Sequence, residues 1–164
     1  MAEPSMENED LYRALARQLD AMPNGFPATE TAAELRLLAW MFTPEEARLG
    51  GVMTMEPEPA DAIAYRAGVE PKDAARTLKD MVRHGLVTMQ RGDRALLFAL
   101  MPFVVGSYEA QLPRMDAEMA ALFEAYFQDS QGMQAVPGPS VHRVLPVGEA
   151  IGSNVEIHPY EQAA

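Results

Sequence analysis

Apolar residues recur along this chain at helical spacing in its first half and in two short runs near its middle. Residues 11–22 place Leu11, Ala14, Leu15, Leu19 and Met22 three or four positions apart, which predicts an amphipathic helix closed by Pro23-Asn24-Gly25. A second helix is expected after Thr31, with Glu34 three positions on in a capping-box pattern, continuing through Leu35, Leu37, Leu38, Trp40 and Met41. A third is announced by Thr43-Pro44-Glu45-Glu46, an N-cap followed by proline at the first helical position, and is expected to reach about Met53 or Met55 although Gly50-Gly51 weakens it. Glu56-Pro57-Glu58-Pro59 breaks the chain.

The next forty residues predict a short helix over 59–67 stopped by Gly68, a second over 71–84 stopped by Gly85, and two apolar runs, 86–89 and 95–100, hinged on Arg91-Gly92-Asp93-Arg94. Helix, tight turn, helix and hairpin in that order outline a winged helix-turn-helix. The expected fold class is therefore mainly α with a small β-hairpin. Residues 1–42 form an N-terminal helical extension, 43–100 the winged-helix domain, 101–128 a packing region and 129–164 a linker and extended tail. Within the packing region, 101–112 reads as an ordered connection or short helix. Residues 113–128 follow as a helix with Met115, Met119, Leu122, Phe123, Tyr126 and Phe127 along one face. Residues 129–139 are rich in Gly, Ser, Gln and Pro, 141–146 suit one short strand, and 152–164 suit an extended segment lying against another surface.

Charge changes this picture because of where it sits. The formal net charge is −11, yet residues 71–94 hold six Lys or Arg against three Asp, the one basic stretch in an acidic chain. In the helix over 71–84, Ala74, Ala75, Leu78, Met81 and Val82 supply the inward face and leave Lys72, Arg76, Lys79 and Arg83 outward. A nucleic-acid reading gives Arg76 and Lys79 the groove and Arg91 and Arg94 the adjacent backbone. Interleaved Asp73 and Asp80, with the surrounding acidity acting over about 8 to 10 Å, favour instead a salt-bridged helix facing solvent or a protein. Arg91-Gly92-Asp93 is read as hairpin-turn chemistry needing positive φ, not as an adhesion motif.

Candidate chemistry is sparse. There is no cysteine, so disulfides, thiolate metal sites and Cys nucleophiles are excluded. His84, His142 and His158 lack ligand spacing, and His84 fits the end of its helix, where a cation complements the dipole. No serine has a recognisable base partner and no glycine-rich phosphate loop follows a strand, so the chain is read as a non-enzyme with no cofactor or metal of its own. Twelve methionines suit core filling. The acidic start lacks a secretory signal and no apolar run approaches a membrane span, so no membrane role and a cytoplasmic location are expected.

Three segments together resemble a known group. They are LYRALARQLDAMPNGFPATE at 11–30, LMPFVVGSYE at 100–109, and the late VLPV at 144–147 with PYEQA at 159–163. They are similar to the N-terminal half of bacterial ferredoxin-like iron–sulfur proteins, in which a winged-helix region precedes a Cys-rich domain holding four-iron four-sulfur clusters. Such clusters are held by Cys thiolates, which this chain lacks, so no ligand carries over to any residue here. The resemblance implies an interaction and scaffold module that positions a redox domain or partner enzyme, the electron-transfer half lying elsewhere. The surfaces expected to bind are the stripe of Met115, Met119, Leu122, Phe123, Tyr126 and Phe127 and the tail from Val141. The alternative is a DNA-binding regulator using Arg76, Lys79, Arg83, Arg91 and Arg94. A protein partner, a following iron–sulfur domain, nucleic acid and a second copy in a homodimer are the partner classes left open.

Overall fold

A computed structural model describes residues 6–133. It is mainly helical with one small antiparallel sheet. The chain runs through α1 (Met6–Asp20), α2 (Ala33–Met41), α3 (Pro44–Gly50), β1 (Glu58–Pro59), α4 (Ala60–Ala67), α5 (Pro71–Arg83), β2 (Val87–Arg91), β3 (Leu96–Leu100), α6 (Tyr108–Gln111) and α7 (Ala117–Asp129). From α3 to β3 the chain runs helix, edge strand, two helices and hairpin, with the sheet ordered β1-β3-β2. One continuous core runs from Tyr12 to Tyr126, so α1, α2 and α7 share it with α3, α4, α5 and the hairpin.

Local chemistry explains most of the boundaries. Thr43 caps α3 as expected: its hydroxyl accepts from Glu46 N–H and the Glu46 carboxylate accepts from Thr43 N–H at 2.8 Å. α3 ends at Gly50, short of the expected Met53 or Met55. A Cβ at Gly50 would stand 2.8 Å from Leu15 Cδ1 and one at Gly51 3.0 Å from Ala14 Cβ, so the glycine pair lets α1 lie close against α3. Gly68 and Gly85, at φ 65 and 70, close α4 and α5 in the left-handed region.

The cap of α2 is displaced from its expected position. Ala32, at φ 55, stands at the N-cap, and the capping hydroxyl belongs to Thr29, which accepts from Ala33 N–H at 2.9 Å and donates to Glu34 Oε2 at 2.6 Å. Thr31 points the other way and donates to Asp129 at the end of α7.

β1 is an addition to the sequence reading. The break at 56–59 contains a two-residue edge strand in which Glu58 faces Phe98 and Pro59 faces Leu97. An edge position tolerates a proline without a ladder N–H. β2 and β3 form the hairpin, pairing Val87 with Leu100, Met89 with Phe98 and Arg91 with Leu96. α7 starts at Ala117, later than residue 113, because Pro113 lies in a 3-10 turn and Asp116 caps the helix by accepting from Met119 N–H at 2.8 Å.

Five methionines, Met22, Met41, Met53, Met81 and Met119, are core residues, while Met55 and Met89 are exposed. Among the described residues, no helix is long and apolar enough to cross a membrane. The expected strand at 141–146 and the segment 152–164 lie outside the described residues.

Candidate functional site

α5 is placed by its own sequence. Pro71 opens it, and Ala74, Leu78 and Met81 recur at core spacing and are buried to 1% exposure or less. That face turns Lys72, Arg76, Lys79 and Arg83 outward, where all four are exposed and border one open depression with Ala75 and Asp80. Two of the four are already partnered: Arg76 with Asp73 at 3.0 Å and Arg83 with Asp80. Lys72 and Lys79 have no ion-pair partner among the described residues, nor have Arg91 and Arg94 at the hairpin tip.

The hairpin follows α5 in the chain and touches it through β2. Val87, Phe98 and Leu100 are buried on one side of it, and the register places Met89, Arg91 and Leu96 on that same side, beyond the edge of the core. Met89 is 45% exposed and Leu96 38%. In the turn, Gly92 N–H donates to Ala95 O at 2.9 Å. Gly92 is not in the left-handed region, contrary to the positive φ expected there. A Cβ at Gly92 would lie 3.0 Å from both Ala95 O and Leu97 Cδ1, so close approach is what favours glycine.

The stripe on α7 differs from the partner surface expected of it. Met119, Leu122 and Tyr126 are buried, α7 packs on α2, and the Tyr126 ring lies tilted against Phe26 with centroids 4.7 Å apart. The stripe's partner is therefore mostly the chain itself, α2 and Phe26. Phe123 and Met115 are half-buried, and only Phe127 is exposed. Tyr108 stacks on Phe123 at 4.2 Å and Phe123 on Phe127 at 5.9 Å, leaving an aromatic ladder at the edge of this packing. The tail from Val141, the other expected binding surface, lies outside the described residues.

A knot of contacts joins these two regions. Asn24 Nδ2 donates to Val104 O at 2.6 Å, and Phe26 packs on Phe103 with ring centroids 4.5 Å apart. Glu109 accepts from Gly106 N–H at 2.6 Å, and Val105 is left exposed. Buried Gln111 donates from Nε2 to Ser107 O at 2.9 Å and to His84 O, at the end of α5, at 3.0 Å. Arg114 donates to Gln111 Oε1 at 2.6 Å and lies over the Trp40 ring.

Sequence reasoning missed the contact of His84 with Glu46. Its Nδ1 lies 3.1 Å from Oε1 of buried Glu46, tying the end of α5 to the start of α3. No local pattern signals a pair of residues so far apart in the chain. Burial raises the Tyr126 phenol far above its ordinary range, and Glu34 and Asp20 add to the shift. Its hydroxyl has no hydrogen-bond partner among the described residues. His142 and His158 lie outside the described residues, and no group of three or more His, Cys, Asp or Glu is disposed to hold a metal ion among those described.

No protein-family model matches the chain, and no curated protein matches it. With no cysteine thiolate in the donor set, the chain does not fit an iron–sulfur cluster.

Proposed function

We propose that the chain is a winged-helix interaction and scaffold module, similar to the N-terminal region of ferredoxin-like iron–sulfur proteins, which positions a redox domain or partner protein. One observation carries this reading. The two segments of the resemblance that fall among the described residues, 11–30 and 100–109, are distant in sequence and meet at one point, where Asn24 holds Val104 and Phe26 holds Phe103. Polar side chains of both segments brace backbone there: Asn24 bonds a carbonyl and Glu109 an amide. Side chains used in that way build a rigid platform.

The test is a titration of the isotope-labelled chain with a purified four-iron four-sulfur domain from the proteins it resembles, followed through the amide resonances. Saturable shifts grouped on one surface support the module. Spectra unchanged through the titration contradict it.

A further inference from the structure

We infer that the face shared by α5 and the wing docks an acidic protein segment that also carries apolar residues. This rests on the interaction-module reading and names the chemistry of its partner.

The first ground is charge. The basic stretch of the sequence is folded onto a single exposed helix face and the hairpin beside it, in a chain of net charge −11. Lys72, Lys79, Arg91 and Arg94 stand there without ion-pair partners among the described residues. A carboxylate brought to them gains attraction without first displacing an internal acid.

The second ground is the apolar surface that the hairpin leaves exposed. Met89 and Leu96 are exposed on the side of the hairpin that, nearer its base, buries Phe98 and Leu100. Protein interfaces combine such an apolar centre with a charged rim, and Met and Arg are enriched in them. An unbranched Met adapts to the shape it meets.

Duplex nucleic acid fits this face less well. A phosphate backbone is bound by uncompensated cations that release counterions, yet Arg76 and Arg83 are already neutralised by Asp73 and Asp80, and Asp93 sits at the wing tip. Phosphates offer nothing to Met89 and Leu96, and the acidic remainder of the chain repels a polyanion.

The experiment measures binding of the full chain to three labelled probes at one salt concentration: a short peptide of Glu and Leu, a poly-glutamate peptide of equal charge, and a short DNA duplex. The Glu and Leu peptide is expected to bind tightest. Lys79→Glu with Arg91→Glu should weaken it about tenfold or more. Met89→Ala should weaken it several-fold while leaving poly-glutamate binding unchanged. All three positions are exposed, so the variants keep the core, and a thermal melt verifies it. Tighter binding of the duplex would assign the face to nucleic acid and overturn the inference. Equal binding of the two peptides, or no binding of either, would overturn it as well. If the iron–sulfur domain binds while the peptides do not, the partner chemistry fails and the module reading stands.

Discussion

Asn24 Nδ2 donates to Val104 O at 2.6 Å, joining the loop after α1 to the segment after β3 across eighty positions of sequence. Asn24 does this from φ 71, a left-handed conformation that asparagine tolerates better than most residues. Asn24→Ala loses the bond and adds backbone cost, so a destabilisation of about 2 kcal/mol is expected in a urea melt. Asn24→Gly keeps the backbone and loses only the bond, for about 1 kcal/mol. Equal losses for the two variants would show that the conformation contributes nothing.

Leu78 is fully buried at the centre of the inward face of α5. Leu78→Ala is expected to cost about 2 to 5 kcal/mol, the transfer loss plus the cavity left behind. A loss below about 0.5 kcal/mol would mean that the helix presents a different face to the core.

Tyr126 buries a hydroxyl that has no partner among the described residues. Tyr126→Phe removes a desolvated polar atom and leaves the ring contact with Phe26, so stability should hold or rise by about 1 kcal/mol. The phenol also sets a pH dependence. Its folded pKa lies above its unfolded value near 10, so the folded state retains the proton after the unfolded chain loses it. This contribution is complete below about pH 10 and is lost as pH rises above that. Denaturant midpoints measured between neutral and strongly alkaline pH should fall less steeply for Tyr126→Phe than for the parent.

Thr29 and Thr31 separate a true cap from an apparent one. Thr29→Ala removes the acceptor for Ala33 N–H and a donor to Glu34, for an expected loss of about 1 kcal/mol or more. Thr31→Ala removes an exposed contact with Asp129 and should cost less than about 0.5 kcal/mol. The reverse order in thermal melts would restore Thr31 as the cap.

The helices were legible wherever the rule is local. Thr43, Pro44 and Glu46 mark the start of α3 within four residues, and the spacing of Ala74, Leu78 and Met81 marks the inner face of α5. Features made by distant partners were not. β1 exists because β3 offers Glu58 and Pro59 an edge to pair with, and a sequence containing two prolines reads as a break. Glu46 and His84 meet only after α3 and α5 pack. The α7 stripe shows the limit most clearly: amphipathic spacing says that Met119, Leu122 and Tyr126 need a cover, and says nothing about whether the cover is α2 or another protein. The basic face of α5 and the wing was readable as charge, whereas the exposure of Met89 and Leu96 beside it depends on where the core ends under the hairpin.

The central claim is that the stripe on α7 is internal and that the chain meets its partner through an outer face. Hydroxyl-radical footprinting, with the chain alone and with the iron–sulfur domain added, tests both halves at once. Met89, Leu96 and Phe127 should be labelled in the free chain and Met119, Leu122 and Tyr126 should resist labelling, with Met89 and Leu96 becoming protected when the domain is added. Strong labelling of Met119 and Leu122 in the free chain, or unchanged labelling at every residue on addition of the domain, would contradict the account.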